Sequence, residues 1–273
     1  MGTDDAGPRV RAAIFDWAGT TVDYGCCAPA AVFLEVFRRR GIGVTLEQAR
    51  GPMGMHKRDH IRILAQLDAV ADQWSAKYGR RPTEDDVEDM FADFVPLQVD
   101  AIGRHADIVP GAIETVADLR ARGIAIGSTT GYNAEMMAVL TPLAARAGYA
   151  PDCMVCVSDV AQGRPAPDMA LEAARRLGIA DPALCVKVGD TVADIHEGLN
   201  AGMWSIGVVD HGNEVGLSRA EFEALAPDDL AARRRTAQHR LVNAGAHYVA
   251  STIRDVSICI DAINKRLAIA DRP

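Results

Sequence analysis

The chain has 273 residues, a formal net charge of −8 and an isoelectric point near 5.4. That length buries a sizeable core and admits a domain carrying a smaller inserted one, while the acidic balance offers no general attraction to nucleic acid or to an anionic membrane. Apolar runs are short and interrupted, the first nine residues are polar, and six cysteines are too few and too irregular for a disulfide scaffold, so the expectation is a cytoplasmic protein with reduced thiols.

Residues 9–15 form a short apolar run that stops at Asp16 and a Gly-Thr-Thr turn, the pattern of a buried strand entering a loop. From about residue 24 to Gly103 no further strand-like run occurs. Val32, Phe33, Val36 and Phe37 recur at helical spacing, Thr45 and Gln48 suit a capping box, and 58–67 and 84–102 continue the helical pattern. After Gly103 the pattern alternates: helix 111–122, strand 124–128, helix 133–147, strand 153–157, helix 166–177, strand 185–189, helix 192–201, strand 204–209. Such alternation implies a parallel sheet with helices on its faces. Residues 218–267 add two or three helices and a short strand near 247–249. The expected architecture is α/β: a Rossmann-like parallel sheet core, 1–24 and 104–273, interrupted by an all-helical cap domain at 25–103. Cys153 and Cys156 form a CxxC inside an apolar strand-like run and read as buried core rather than as a zinc or redox pair.

Four polar clusters follow predicted strands: Asp16-Trp-Ala-Gly-Thr-Thr, Ser128-Thr-Thr-Gly-Tyr132, Gly163-Arg164-Pro165 and Gly189-Asp190-Thr-Val-Ala-Asp194. Parallel strand ends converge, so these clusters should meet. Asp16, Asp190 and Asp194 would then lie together, and close carboxylates repel unless a cation or proton sits among them. Mg²⁺, which takes oxygen ligands and bridges carboxylates to phosphate, is the natural occupant. Thr130 and a Gly-containing turn can donate hydrogen bonds to phosphoryl oxygens, and Arg164 can neutralise anionic charge.

In this order the four clusters resemble the signature motifs of the haloacid dehalogenase superfamily. The resemblance implies Asp16 as a nucleophile forming an aspartyl phosphate, Thr130 holding the phosphoryl group, Arg164 orienting it, and Asp16, Asp190, Asp194 and the Ala18 carbonyl serving Mg²⁺. One departure stands out. Phosphatases and mutases of the superfamily usually carry a second Asp, an acid and base for an oxygen leaving group, where this chain has Ala18.

The helical segment offers another way to activate a leaving group, in Met53-Gly-Met-His-Lys57-Arg-Asp-His60. Breaking a carbon–phosphorus bond leaves a carbanion, and an imine between lysine and an aldehyde is an electron sink that turns it into an enamine. An ordinary lysine with a pKa of ~10.4 is only about 0.04% neutral at pH 7, so Lys57 needs burial or neighbouring cations such as Arg58, His56 and His60. With that run, Cys26 and the late Asn243-Ala-Gly-Ala-His247, nearly the whole chain resembles the phosphonate-aldehyde hydrolase branch of the superfamily. This implies conversion of phosphonoacetaldehyde to acetaldehyde and phosphate, Lys57 as the Schiff-base residue, His60 in proton transfer, Met53, Cys26, Gly131 and Tyr132 around the substrate, and a homodimer formed partly through the cap. The alternative is a phosphatase or phosphomutase for a small phosphate ester, against which Ala18 stands.

Overall fold

The computed structural model describes residues 8–273. Strand β1 (Ala12–Phe15) is followed by five helices before the next strand: α1 (Cys27–Arg39), α2 (Leu46–Arg50), α3 (Lys57–Gln66), α4 (Asp68–Tyr78) and α5 (Glu84–Ile102). Then come α6 (Ala112–Ala121), β2 (Ala125–Thr130), α7 (Ala134–Arg146), β3 (Cys153–Cys156), α8 (Asp168–Arg176), β4 (Cys185–Gly189), α9 (Val192–Asn200), β5 (Trp204–Val208), α10 (Arg219–Ala224), α11 (Pro227–Asn243), β6 (Tyr248–Ala250) and α12 (Val256–Leu267). The six strands form one parallel sheet in the order β3-β2-β1-β4-β5-β6.

Alternation along β1 explains the two layers of helices. Ala13 and Phe15 point into a large core shared with α6, α7 and α12, whereas Ala12 and Ile14 pack on α8 from the other side. A third cluster, Ile195 with Ala237 and Leu241, joins α9 to α11. Both sheet faces are therefore covered, as a parallel sheet requires. The chain leaves β1 for β2 on one side and later returns to β4 on the other. A crevice forms at such a reversal, between the carboxyl ends of β1 and β4.

The helical segment continues the large cluster, with α5 also packed on α7. α1 and α3 pack on α5, with Phe33 and Phe94 ring centroids 4.6 Å apart and Val36, Phe37, Ile61, Leu64 and Met90 fully buried around them. α4 has no counterpart among the helices expected from the sequence. Only Val70, Ala71 and Trp74 of its eleven residues are buried, too sparse a stripe to announce itself. β2 runs two residues beyond its expected end, which places Thr130 on the strand, paired with Cys156. α8 starts two residues late, because Pro167 disfavours helical backbone at Ala166 before it and itself stands at the cap. Among the described residues no helix is long and apolar enough to cross a membrane.

Candidate active site

The turn after β1 is built by its backbone. The N–H groups of Thr20, Thr21 and Val22 all donate to the Trp17 carbonyl, and Gly19 takes φ +90°. This fold-back delivers the Thr20 hydroxyl to Asp190 Oδ1 at 2.8 Å and leaves Asp16 beside Arg164, whose Nη1 lies 2.7 Å from Asp16 Oδ1. Oxygens of Asp16, Asp190 and Asp194 lie within 4.8 Å of one another, and all three residues are buried. They are the one group of carboxylate, imidazole or thiol side chains among the described residues placed closely enough to hold a metal ion. Cys153 and Cys156 are free thiols on β3, and a three-residue offset on a strand sends their side chains to opposite faces.

Lone pairs distinguish the three acids. A carboxylate has about four acceptor sites. Asp194 is third in α9, and its Oδ2 accepts from the Thr191 hydroxyl at 2.6 Å and the Thr191 N–H at 3.2 Å; its Oδ1 faces Lys187 Nζ at 2.7 Å and Arg164 Nη1 at 3.1 Å. Its acceptor capacity is full. Asp190 accepts one donor on each oxygen, from Thr20 and from the Asn213 N–H at 2.7 Å, and keeps capacity in reserve.

Behind Arg164 stands a charged network that motif spacing does not reveal. Arg164 Nε donates to Glu197 Oε2 at 2.7 Å and its Nη2 to the Thr129 carbonyl and hydroxyl at 2.9 and 2.8 Å; Lys187 Nζ lies 3.5 Å from Glu197 Oε2. Lysine within the apolar strand Cys-Val-Lys-Val-Gly is the one signal of it in the sequence, since a strand buried on both faces has no ordinary use for a cation. Around Arg164 four buried carboxylates, Asp16, Asp190, Asp194 and Glu197, face two buried cations, Arg164 and Lys187. The two unmatched negative charges and the hard oxygen donors fit one divalent cation. Electrostatics agrees: burial, then the neighbouring Asp194 charge, raises Asp16 to about 6. Burial, then Asp16, raises Asp190 strongly. Burial alone would raise Asp194 too, but Arg164 and Lys187 hold it below the usual carboxylate value.

The helical segment closes over this cluster. Asp16, Ala18, Cys26, Met53, Lys57, Thr130, Gly131, Tyr132 and Arg164 line one small cavity with Gly54 and Thr191. Its volume is about 10 Å³, room for roughly one water molecule. Two glycines permit the close approach: a Cβ on Gly131 would lie 2.6 Å from the Met55 carbonyl, and one on Gly54 would lie 2.3 Å from Thr191 Oγ1. Lys57 opens α3, is 3% exposed, and holds its amine 5.3 Å from the Tyr132 ring centre and 5.7 Å from that of Phe33. Burial lowers its pKa, with Arg164 assisting against Cys26 and Asp16. Gln98 fixes Tyr132 by donating to its hydroxyl at 3.0 Å.

Asp190, Asp194 and His60 do not line the cavity. His60 is wholly buried one helical turn beyond Lys57, stacked on Phe33 with centroids 3.7 Å apart. Its Nε2 is 2.8 Å from the Ala49 carbonyl, an acceptor, so Nε2 carries the proton and Nδ1 presents its lone pair, without a partner among the described residues. Burial and the Lys57 charge push its pKa well down. This arrangement can hold a phosphoryl group and a divalent cation at the sheet edge while a neutral amine approaches from the opposite wall.

Comparison with known proteins gives concordant results. A family model described as haloacid dehalogenase-like hydrolase matches residues 10–202. A phosphonoacetaldehyde hydrolase from Nitratidesulfovibrio vulgaris is 50% identical over 97% of this chain and 94% of its own length. A bifunctional phosphonoacetaldehyde hydrolase/aminoethylphosphonate transaminase from Clostridioides difficile is 46% identical over 92% of this chain, which spans 39% of that protein. A crystal structure of a phosphonoacetaldehyde hydrolase-like protein from Oleispira antarctica superposes with a TM-score of 0.95 at 42% identity, covering 100% of this chain and 99% of that one.

Proposed function

The chain belongs to the haloacid dehalogenase-like hydrolases, in the phosphonoacetaldehyde hydrolase family, and from that premise we propose that it hydrolyses the carbon–phosphorus bond of phosphonoacetaldehyde to acetaldehyde and phosphate. One observation carries the reading: a buried lysine with a lowered pKa shares a cavity with Asp16, on whose turn Ala18 stands in place of an acid for an oxygen leaving group.

In this reading the Lys57 amine attacks the aldehyde carbon and loses water to give an imine. Arg164 holds Asp16 in place, and the Thr130 hydroxyl and the turn N–H groups receive the phosphonyl oxygens. An Asp16 oxygen attacks phosphorus; the carbon–phosphorus electron pair moves into the imine and yields an enamine. His60 lies outside the cavity one helical turn beyond Lys57, so a proton moved by its Nδ1 would pass by way of Lys57 and not by contact with the substrate. Protonation at carbon and hydrolysis free Lys57 and acetaldehyde, and water cleaves the aspartyl phosphate. Met53, Cys26, Gly131 and Tyr132 shape the aldehyde end of the pocket. Asp16, the Ala18 carbonyl and Asp190 would hold Mg²⁺, which would supply charge neutralisation and Lewis acidity there. Asp194, with its acceptor sites filled, acts on that ion through its charge and through Arg164 and Lys187. The half-buried Pro52, Met55, Ile63 and Leu67 line an open groove with Glu47 and Gln48, and a homodimer formed partly through this helical segment belongs to the reading as a separate expectation that sedimentation tests.

The test is acetaldehyde release from phosphonoacetaldehyde with and without Mg²⁺, coupled to alcohol dehydrogenase, on the wild type and on Lys57→Arg. Mg²⁺-dependent release that falls roughly 10³-fold or more in the variant supports the scheme. Equal turnover by Lys57→Arg removes the imine, and faster hydrolysis of sugar phosphates than of the phosphonate moves the chain to the phosphatase reading.

A further inference from the structure

Beyond the cavity, the cap and the core meet at a second polar contact, between the end of α2 and the loop after β5. Asn213 in that loop is 3% exposed, and its side-chain amide pairs reciprocally with Arg50: Nδ2 donates to the Arg50 carbonyl and Arg50 Nη1 donates to Asn213 Oδ1, both at 3.1 Å. The same Arg50 Nη1 donates to the Gly25 carbonyl at 2.8 Å, and the Gly25 N–H donates to the His211 carbonyl at 2.8 Å. Arg50 lies three residues before Met53, on the segment that forms the cap wall of the cavity. The other end of the contact reaches the acid cluster. The Asn213 N–H donates to Asp190 Oδ2, and a Cβ on the preceding Gly212 would lie 2.6 Å from the Asp190 Cβ, so this loop is seated directly on Asp190. His211 anchors its other side, donating from Nδ1 to the Gly19 carbonyl at 2.7 Å and accepting from the Ile253 N–H at 3.0 Å.

We propose that Asn213 and Arg50 form a latch that holds the cap seated, with Asn213 a positioning residue that ties cap closure to the placement of Asp190. The inference rests on the hydrolase reading for its consequence, not for its geometry. One residue serves both partners through different atoms: its side chain senses the cap and its backbone holds the carboxylate. A lifted cap breaks both side-chain hydrogen bonds and frees the loop that steadies Asp190. Asp190 is thus held most firmly when Lys57 is over Asp16, which favours chemistry in the closed state alone.

The experiment reads closure without substrate. Cys26 is 2% exposed, lines the cavity and lies between cap and core, whereas Cys185 is buried on β4 and exchanges with solvent only when the core opens. Labelling of each thiol by N-ethylmaleimide, resolved by peptide mass mapping, is compared for wild type, Asn213→Ala, Arg50→Lys and the double variant. A hydrogen bond contributes a net factor of roughly two to ten, so Asn213→Ala is expected to label Cys26 about tenfold faster at unchanged Cys185 rate. The double variant is expected to speed Cys26 labelling by less than the product of the two single effects, since both changes break the Arg50 Nη1 to Asn213 Oδ1 hydrogen bond while each also removes one bond of its own. With phosphonoacetaldehyde, kcat/KM should fall about tenfold in Asn213→Ala, mostly through KM, because binding energy is diverted to closing the cap. An unchanged Cys26 rate, a parallel rise at Cys185, multiplicative effects in the double variant or an unchanged kcat/KM would each overturn the latch. A wild type that releases no acetaldehyde but shows the labelling pattern retains the latch and loses the hydrolase reading.

Discussion

Lys57 illustrates how one position sets reactivity against stability. Its amine is buried without a matching carboxylate beside it, flanked by two aromatic rings, and burial favours the neutral form that the proposed attack on a carbonyl would use. The same burial destabilises the fold. A lysine with a lowered native pKa binds fewer protons folded than unfolded, so its penalty is complete below the native pKa and fades as pH rises towards the ordinary value of 10.5. Lys57→Met should therefore melt higher than wild type at neutral pH, by roughly 2–4 °C for ~1 kcal/mol, with the gap narrowing in alkaline buffer. A lower melting temperature by calorimetry would mean that the amine is stabilised by contacts that outweigh its desolvation. The proposed chemistry asked for a perturbed lysine, and the sequence left burial and adjacent cations open as the agent. Burial is the larger; His56 is itself lowered by burial, and the rings that enclose Lys57, which come from α1 and the turn after β2, are what the sequence did not show.

Among the elements, strand ends were the most legible feature. A short apolar run that stops at Asp or Thr announces both a strand and the side chain it presents, which is why Asp16, Thr130 and Asp190 group together on sequence pattern alone. Side chains that meet only through the facing of a helix and a strand were hidden. Glu197 reaches Arg164 and Lys187 because α9 lies on β4 and β5, and nothing in its neighbours along the chain says so. Removing it takes the acceptor from Arg164 Nε and one of the two carboxylates that Lys187 faces. Glu197→Ala is expected to lose roughly 3–5 kcal/mol in urea unfolding, and Glu197→Gln, which can still accept from Arg164, considerably less. Equal losses would assign the effect to packing. The glycines at the cap contact act differently. Gly131→Ala places a methyl group 2.6 Å from the Met55 carbonyl, so kcat/KM should drop at least about tenfold while the unfolding transition barely moves. Retained activity would show that the cap seats with slack.

At the scale of the whole molecule, charge and topology combine. The reversal of direction at β1 brings acids from two strand ends into one crevice, and the sheet buries them all; the surplus of two negative charges around Arg164 follows from that placement. A divalent cation that binds only the folded form should then stabilise it by ~2.7 kcal/mol at a hundredfold excess over its Kd, roughly 5–10 °C in a chain of this size. Calorimetry of metal-stripped protein with added Mg²⁺ reads this directly, and no shift would remove the ion from the crevice. The run of helices between β1 and β2 was legible; the contacts by which it meets the sheet were not, because they join residues far apart in sequence, such as Gly131 with Met55.

The cavity beneath the seated cap, with space for roughly one water molecule, sets the traffic of the reaction. A phosphonate aldehyde is several times larger, so it boards only while the cap is lifted, and the door shuts on a load that has already displaced bulk solvent. In the proposed scheme, an acyl phosphate on Asp16 would then face a chamber that admits solvent almost molecule by molecule. On that scheme the fold would ration the reagent of its own second step, shielding an enamine from a flood of water while still supplying the few molecules that hydrolysis consumes.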